Sequence, residues 1–549
     1  MNLNDEQLNA VEKIRLFLES SNKIFVLTGA AGTGKSTIIS QLFMTNDEPS
    51  KKIVISATTN KAVSVLKEMF NKYNNKSNID FSTIQKLCNV KICINHDGEQ
   101  YFKFCEQNPT NNVKTINDYN IIIVDEASMI NLKLLNYLNR KKKHINGKII
   151  FVGDTNQLPP VNEISSLVFD SNYETVTLQN VMRYNSNILK FSIRVRDSII
   201  NKEKISIKNI EDHSLKLYKK NEEWLNEYLI NFSYNNIFLA YTNNRCNEIN
   251  NYIRKNYFNI TNLREYVNDE LIVFNNYYKK ETITFYTSSS AKITMCALTE
   301  HVTPIFPLTS LFNLTHSIQA IMNINEKNKS ELDETNDMCP ICYEDMTDIE
   351  HLSETGCNHV FCDNCIKMWL KQHNTCPFCR MVIVEDKLVI NNNDIMSVML
   401  NKVIELLNSN RIKCWKLSIQ PNTACQNSLT PTDILVVRKE FKKEFELHKE
   451  AIKSAIIELK HYIYTTKSTQ DNKFLLTRLW EYYYDNYINM FADISYGYCI
   501  TVHKSQGSTF DNVFIDSQNI LKYNREDNIN YKCLYTAITR ASKKIFILI

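Results

Sequence analysis

Short apolar runs, each soon followed by glycines or acids, recur along the chain. They lie at residues 24–27, 121–124 and 149–152. Strands that are covered on both faces are apolar throughout, so these runs predict the buried strands of a parallel sheet. Residues 36–43 have helical spacing directly after the first run. The pattern predicts an α/β fold.

Three other patterns predict accessory elements. Residues 266–297 alternate like the strands of a small β domain, and residues 395–407 and 441–459 have the apolar spacing of helices. Two alternating runs within residues 90–104 flank Asp97 and Gly98, which is typical of a β-hairpin.

Length and composition set the class of protein. A chain of 549 residues is too long for one hydrophobic core, so three or more domains are expected. With 43% hydrophobic and 23% charged residues, and with no apolar run of spanning length, the chain is expected to be neither disordered nor a membrane protein. Its first ten residues do not resemble a secretory signal, so a reducing compartment is expected. A net charge of +4 means that any nucleic-acid contact must come from local grooves.

Three of the nine glycines, Gly29, Gly32 and Gly34, fall in one segment with the sequence FVLTGAAGTGKST. This is the phosphate-binding P-loop pattern, in the strand, loop and helix context that it requires. Glycines let the backbone NH groups face the phosphates, Lys35 neutralises the outer phosphates, and the Ser36 hydroxyl coordinates magnesium. The predicted ATP-binding residues of the loop are Gly29, Gly32, Thr33, Gly34, Lys35, Ser36 and Thr37.

Acids and an amide follow the next two predicted strands. Asp125 and Glu126 end the second apolar run. In an ATPase, Asp125 can hold the magnesium ion and Glu126 can take a proton from the attacking water. Gln157 follows the third run, where it is placed to sense the terminal phosphate.

Eight cysteine and histidine residues near the middle of the chain have metal-ligand spacing. Each structural zinc ion takes four ligands, so eight residues predict two closed zinc sites. The order is the C3HC4 pattern of a RING finger, and zinc is expected to supply most of the folding energy of so short a segment. The predicted ligands are Cys339, Cys342, Cys357, His359, Cys362, Cys365, Cys376 and Cys379.

The P-loop, the acids at 125–126, the segment around Gln157 and two segments near the end of the chain resemble the motifs of superfamily 1 helicases. The resemblance is to the branch with RecD-like, Dda-like and Pif-type enzymes. The resemblance covers about residues 1–255 and 475–549, including the segments TVHKSQGSTF and LYTAITRA near the end of the chain. It implies two RecA-like P-loop NTPase domains, with residues 237–243 as the first strand of the second domain and 544–549 as its last. The expected fold class is therefore α/β, with a small β accessory insertion and a zinc-binding RING finger insertion.

The same resemblance implies roles for single residues. Gln7 is expected to contact the adenine, and Arg183 and Arg540 to reach the ATP. A guanidinium suits that task because it is always charged and binds phosphate oxygens with two hydrogen bonds. Thr58 and Gln85 depart from the proline and histidine that are usual in the family. The residues expected along the nucleic-acid strand are Thr59, Asn60, Phe81, Thr501, His503 and Lys504, with His503 as a packed or capping histidine in the alternative interpretation.

Resemblance to RING ubiquitin ligases implies a partner. Ile341, Trp369 and Pro377 occupy the positions of the apolar groove for a ubiquitin-conjugating enzyme, and Arg380 that of the arginine which steadies ubiquitin. It also implies interleaved zinc binding, with Cys339, Cys342, Cys362 and Cys365 on one ion. The alternative is a zinc-stabilised docking or nucleic-acid-binding module.

The motifs divide the chain into successive parts. The predicted parts are a first RecA-like domain (1–185, with a hairpin insertion at 88–117), the start of the second (186–262), a β-rich insertion and linker (263–335), the RING finger (336–382), a helical accessory or linker region (383–474) and the remainder of the second RecA-like domain (475–549). Helicases of this branch carry a wedge at the hairpin position, so Tyr101, Phe102 or Phe104 would press on a duplex junction. An ordinary packed hairpin is the alternative.

The expected function is an ATP-dependent DNA helicase, moving 5′ to 3′ on single-stranded DNA and coupled to a RING ubiquitin ligase or docking module. The expected cofactors are ATP, Mg²⁺ and two Zn²⁺, and the expected partners are single-stranded or forked DNA, a ubiquitin-conjugating enzyme and ubiquitin. The alternatives are a RING ligase that the motor brings to nucleic acid, and a translocase that does not unwind. A ligase presupposes ubiquitin, so the expected location is the nucleus or cytoplasm of a eukaryotic cell, or a viral replication site there.

Overall fold

The computed structural model describes most of the chain outside the RING segment. The described residues are 3–44, 51–73, 79–104, 114–141, 147–160, 163–180, 187–205, 207, 212–276, 278–279, 284–285, 289–306, 341, 352–354, 360–370, 395–408, 410–421, 432–466, 470–522 and 529–549.

The first domain is an α/β unit. Its strands are β1 (Ile24–Gly29), β2 (Ile53–Ala57), β3 (Ile79–Thr83), β4 (Val90–Ile94), β5 (Gln100–Phe104), β6 (Ile121–Asp125), β7 (Lys148–Gly153) and β8 (Glu174–Leu178). Its helices are α1 (Asp5–Glu19), α2 (Lys35–Met44), α3 (Asn60–Tyr73), α4 (Ile84–Leu87) and α5 (Leu132–Lys141), with 3₁₀ turns at Ile116–Asp118 and Ala127–Met129. Six strands form one parallel sheet in the order β3-β2-β6-β7-β1-β8. The predicted apolar runs are its central strands, and every residue of β1 and β2 is buried.

The second domain begins with α6 (Asn187–Asn201), whose buried Ile188, Phe191 and Val195 pack in the core of this domain. It continues through β9 (Leu215–Tyr218), α7 (Asn221–Ile230), β10 (Asn236–Ala240) and α8 (Asn243–Asn256). The predicted strand at 237–243 corresponds to β10, but β9 precedes it in the chain and belongs to the same sheet. The sequence interpretation was wrong on this point because β9 has only four residues, too few for a periodicity to stand out.

A long insertion follows α8. Its strands are β11 (Leu271–Asn276), β12 (Tyr278–Lys279), β13 (Thr284–Phe285), β14 (Ser290–Val302), β15 (Leu352–Glu354), β16 (Val360–Cys362), β17 (Arg411–Pro421) and β18 (Thr432–Val437). Its helices are α9 (Asp363–Leu370), α10 (Ile395–Leu407), α11 (Lys442–Thr466) and α12 (Gln470–Tyr483), followed by a π-helical turn at Tyr484–Ile488.

The insertion ends with β19 (Asp493–Tyr496), and the chain then returns to the second domain. The remaining elements are β20 (Cys499–Thr501), a 3₁₀ turn at Val502–Ser505, β21 (Phe510–Asp516), α13 (Ser517–Lys522), α14 (Ile529–Ile538) and β22 (Ala541–Leu548). The second parallel sheet has the order β20-β10-β21-β22-β9. Since β10 and β20 are neighbours in it, the accessory residues between α8 and β20 are an insertion into this domain.

The accessory strands form an antiparallel sheet in the order β18-β17-β14-β11-β19. The alternating segment 266–297 supplies β11 and part of β14, as predicted. The region 383–474, predicted as helical, also holds β17 and β18. β17 pairs with β14 from Ala291↔Pro421 to Val302↔Arg411. The paired residues are more than a hundred positions apart in the chain, so the local sequence does not predict this pairing.

The predicted helices at 395–407 and 441–459 are present as α10 and α11. They pack with α12 around one apolar core. No helix in the described part of the chain is long and apolar enough to cross a membrane.

The predicted hairpin is formed by β4 and β5, with Gly98 in its turn at φ 81°. Its tip rests on the accessory helices. Lys460 Nζ lies 2.5 Å from Asp97 Oδ1, and the Tyr484 hydroxyl donates to the Gly98 carbonyl at 2.9 Å. The hairpin thus joins the first domain to the insertion in the second.

Candidate functional site

A cavity of about 510 Å³ lies between the two parallel-sheet domains. Its walls come from both domains. The polar and glycine residues of the first domain that line it are Gln7, Gly32, Gly34, Lys35, Ser36, Thr37, Asp125, Glu126, Gly153, Asp154 and Gln157, and those of the second are Gly507, Ser508, Thr509, Thr539 and Arg540.

The loop between β1 and α2 forms one wall. Gly32 and Gly34 have φ values of 84° and 87°, a region that side chains with a Cβ rarely adopt. Lys35 Nζ donates to the carbonyls of Gly29 and Ala30, at 2.7 and 2.9 Å. The lysine therefore lies over the loop and would exchange these carbonyls for the oxygens of a bound phosphate.

Gln7 lies beside this loop and is buried. Its Nε2 donates to the Thr33 carbonyl at 3.0 Å, while its Oε1 accepts from the Asn4 backbone NH and caps α1. The apolar residues that line the same cavity are Leu3, Ala31, Ala62, Val65, Leu66 and Met69. Most of them come from α3, and the sequence interpretation missed them, although the amphipathic pattern of α3 was available as a signal.

Asp125 and Glu126 stand at the carboxyl end of β6. Burial raises the pKa of the Asp125 carboxyl to about 6, and the charge of Glu126 acts in the same direction, while Lys35 and Arg540 act against both. Asp125 and the Ser36 hydroxyl are oxygen donors on one cavity, which is the donor chemistry that magnesium prefers. Glu126 has φ 53° and ψ 44°, a left-handed conformation that is uncommon outside glycine.

Glu126, Gln157 and Arg540 meet across the domain boundary. Arg540 Nη1 lies 3.7 Å from Glu126 Oε1. With its amide oriented to satisfy both neighbours, Gln157 donates to Glu126 Oε2 and accepts from Arg540 Nη2, each at 3.3 Å. Arg540 is 5% exposed, so its charge acts in a largely water-free environment. Three residues predicted from separate motifs therefore form one cluster.

A tyrosine that the sequence interpretation did not select also bridges the domains. The Tyr535 hydroxyl donates to Asp154 Oδ2 at 2.9 Å and accepts from the Ala31 backbone NH at 3.3 Å. Tyr535 lies within the segment LYTAITRA, five residues before Arg540, so the motif was visible but the role of its tyrosine was not. The contact links α14 directly to the P-loop.

A second set of contacts joins the same elements. The Leu158 backbone NH donates to Thr536 Oγ1 at 3.1 Å, and Gln506 Nε2 donates to the Leu158 carbonyl at 3.1 Å. The loop that follows β7 is therefore held by two segments of the second domain. Arg183 lies outside the described residues.

The residues predicted along a nucleic-acid strand lie beside the cavity or within the domains. Thr59 Oγ1 accepts from the Ala62 backbone NH and caps α3. Thr501 is buried, and Lys504 Nζ donates to Asn275 Oδ1. Phe81 is half-buried and meets the Phe70 ring edge-on.

His503 is half-buried, and burial lowers its pKa. Its ring lies edge-on to Tyr241, with the centroids 6.0 Å apart. Asn60 begins α3. The two positions that depart from the family pattern contact one another, because Gln85 Nε2 donates to the Thr58 carbonyl at 3.2 Å.

Of the predicted zinc ligands, the structure describes Cys362 and Cys365. Cys362 ends β16, which pairs with β15, and Cys365 lies in the first turn of α9. Two thiols at the junction of a hairpin and a helix suit a zinc knuckle. The remaining ligands, Cys339, Cys342, Cys357, His359, Cys376 and Cys379, lie outside the described residues, as do Pro377 and Arg380. Ile341 and Trp369 are both partly exposed.

Three family models match the chain. An AAA domain matches residues 2–214, a UvrD-like helicase C-terminal domain matches 496–548, and a Ring finger domain matches 337–380. RecBCD enzyme subunit RecD of Buchnera aphidicola is 34% identical over 184 residues, which are 31% of this chain and 29% of that protein. E3 ubiquitin-protein ligase RNF126 of Xenopus tropicalis is 52% identical over 42 residues, 8% of this chain and 14% of that protein.

These matches make the chain similar to superfamily 1 helicases, with a segment similar to a RING finger domain between the helicase-like parts. Along nearly its whole length it is similar to an uncharacterized protein of Acanthamoeba polyphaga mimivirus. That protein is 25% identical over 570 residues, and the match covers 98% of each chain. Similarity to superfamily 1 helicases implies ATP and Mg²⁺, and similarity to a RING finger implies zinc.

Proposed function

We propose that the chain is an ATP-dependent DNA helicase that moves 5′ to 3′ on single-stranded DNA. The contact of Glu126, Gln157 and Arg540 between the two motor domains carries the ATP-hydrolysis part of this proposal, and the DNA substrate and direction rest on the resemblance to superfamily 1 helicases. A carboxylate next to an arginine from the other domain couples the attack on ATP to closure of the cleft, because each domain supplies one half of the site.

Each residue has a task in the proposed reaction. Glu126 accepts the proton of the attacking water, and Gln157 orients that water. Arg540 offsets the negative charge that develops on the transferred phosphoryl group. Bound magnesium, held by Ser36 and Asp125, would add positive charge beside the phosphates.

Steady-state ATP hydrolysis with and without single-stranded DNA tests the motor. DNA should stimulate the wild-type protein strongly, and Glu126→Gln should lower kcat by about 10²-fold to 10⁴-fold because the proton acceptor is lost. ATP binding, followed with a fluorescent analogue, should persist in this variant. Hydrolysis by Glu126→Gln at the wild-type rate would refute the assigned role.

Forked substrates with one single-stranded tail test direction. Unwinding should require a 5′ tail. A requirement for a 3′ tail would reverse the proposed polarity. Absence of unwinding with either tail, together with DNA-stimulated hydrolysis, would make the protein a translocase.

We also propose that the RING finger binds two zinc ions and recruits a ubiquitin-conjugating enzyme. The described part offers one supporting feature: Phe361 and Ile366 are buried while Met368 is 68% exposed beside the partly exposed Trp369. A partly exposed aromatic beside an exposed apolar side chain is what such an interface needs.

Ubiquitin, its activating enzyme and a panel of conjugating enzymes test this part. Chains should form with the wild-type protein and disappear with Trp369→Ala. The zinc content should stay at two ions per chain, which separates loss of the interface from loss of the fold. If chains persist in Trp369→Ala, the proposed groove is wrong.

A further inference from the structure

A second surface of the first domain has the chemistry of a nucleic-acid site. A groove of about 490 Å³ lies between β5 of the hairpin and α5, apart from the ATP cavity. Four of its lining residues are aromatic: Tyr101, Phe102, Phe104 and Tyr137. None of them lines the cavity between the motor domains.

The aromatic rings form a platform. Phe104 and Tyr137 stack with centroids 3.9 Å apart and planes at 11°, which fixes both rings between the hairpin and the helix. Phe102 lies two residues away on the same face of β5, about 7 Å along the strand. Phe102 is 63% exposed, so its ring is available to a ligand.

The rest of the lining is basic. It consists of Lys103, Arg140 and Lys141, and no described residue of the groove is acidic. Cations are favoured at any helix carboxyl terminus, so Arg140 and Lys141 alone would not indicate a nucleic-acid site. Beside exposed and stacked aromatic rings, however, they complete the combination that binds single strands: flat faces for bases and cations for phosphates.

The groove is separated from the strand-binding residues by the topology of the sheet. Thr59 and Asn60 follow β2, and Asp125 pairs with Ala57 at that same carboxyl edge. The helix α5 starts near this edge, and the chain re-enters the sheet at Lys148, at the opposite edge. The last turn of α5, which holds Arg140 and Lys141, therefore lies away from the motor track.

We propose that this groove binds a second single strand of DNA, the strand that the motor does not track. Its bases stack on the Phe102, Phe104 and Tyr137 platform, and its phosphates pair with Arg140 and Lys141. The identity of the ligand rests on the proposed helicase function. Binding through the groove itself needs neither ATP nor movement.

Equilibrium binding of labelled forks by the full-length protein, without ATP, tests the proposal. A fork with two single-stranded arms should bind about tenfold more tightly than a fork with only the tracked arm, since each stacked base contributes that order of affinity. Phe102→Leu, which keeps an apolar side chain but removes the ring, should abolish most of this difference.

A charge variant gives an independent readout. Arg140→Gln should lower the slope of log K against log salt concentration by about 0.7 for the two-armed fork, as expected for one lost phosphate contact. The matched control is Arg15→Gln, because Arg15 is an exposed arginine on α1 of the same domain. This control should leave the slope unchanged.

Three results would overturn the proposal. The first is a second arm that adds no affinity in the wild-type protein, and the second is an equal decrease of the salt slope in Arg140→Gln and Arg15→Gln. The third is a Phe102→Leu variant that loses as much affinity for the one-armed fork as for the two-armed fork. Failure of the helicase proposal would show itself differently, as absent DNA-stimulated hydrolysis with the difference between the two forks intact.

Discussion

Glu126 occupies a left-handed backbone conformation at the end of β6, and this conformation turns the chain as it leaves the buried strand. Such a conformation costs a non-glycine residue about 1–3 kcal/mol, so the surrounding structure must hold it. This conformation places the Glu126 carboxylate at the boundary of the two domains, where it contacts Arg540 and Gln157. The sequence motifs identified all three residues, but not their mutual contact.

Replacement of Arg540 by lysine tests that contact. An ammonium group cannot reach Glu126 and Gln157 with the planar geometry of a guanidinium, so kcat should fall by about 10³-fold with little change in KM for ATP. The measurement is steady-state ATP hydrolysis. Arg478→Lys, on the exposed face of α12, is the control and should hydrolyse ATP at the wild-type rate.

Tyr535→Phe removes the hydroxyl that joins Asp154 to the P-loop. A buried carboxylate then loses a donor, which should destabilise the closed site by about 1–3 kcal/mol. We expect a lower thermal midpoint and a higher KM for ATP. Tyr531→Phe on the same helix is the control, and an unchanged KM in Tyr535→Phe would show that the bridge has no role in nucleotide binding.

Among the secondary-structure elements, the hairpin has strands that the local sequence predicts and a packing position that it does not. The alternation of residues 90–104 predicts both strands and the turn, and the structure confirms them. The docking of the tip on α11 and on the π-helical turn after α12 has no local signal, because Lys460 and Tyr484 are more than 350 residues away in the chain. The choice between a duplex wedge and a packed hairpin stays open: the tip is packed, while Tyr101 and Phe102 are exposed.

Gly98→Ala should release the hairpin tip. Gly98 has φ 81°, and an added Cβ would lie 2.5 Å from Trp480 Cε2. The strain of about 1–3 kcal/mol should raise amide hydrogen exchange in the turn about tenfold or more. Lys460→Ala, which removes only a partly exposed ion pair, should change exchange by about twofold at most. Equal effects of the two variants would contradict the steric argument.

At the scale of the whole molecule, a lysine lies between the motor domains. Lys61, on α3, has its Nζ 4.9 Å from the centroid of the Phe510 ring in the second domain. Burial lowers the pKa of Lys61 to about 8. In an open cleft this lysine would meet water and recover its ordinary pKa near 10.5. At pH values between about 8 and 10.5, closure of the cleft would therefore release a proton from Lys61.

Because the closed cleft binds fewer protons, higher pH should favour closure. The KM for ATP should fall as the pH rises above about 8, and Lys61→Met should remove this dependence. The measurement is the KM for ATP from pH 7 to 9.5. Lys13→Met on the exposed face of α1 is the control, and a pH profile that Lys61→Met leaves unchanged would refute the assignment.

The RING finger should be removable without loss of the motor. Val302 of β14 pairs with Arg411 of β17, so the chain leaves and rejoins the accessory sheet at neighbouring positions. Replacement of residues 336–382 by a short flexible linker should keep DNA-stimulated ATP hydrolysis within about twofold of wild type, since the sheet keeps its pairing. Metal analysis should show loss of zinc. Loss of hydrolysis would mean that the RING finger supports the ATP site.

Local patterns in the sequence predict the candidate site residues and the central strands. The P-loop, the acids after β6 and the eight zinc ligands depend on residue type at short spacing, which is a local property. The contacts between distant segments become visible in the folded structure alone. The pairing of β14 with β17, the place of β9 in the second sheet, and the bridge from Tyr535 to Asp154 arise from packing between parts of the chain that share no local pattern. Short strands and single buried hydroxyls leave no periodicity to detect, so their partners are fixed only when the domains close around them.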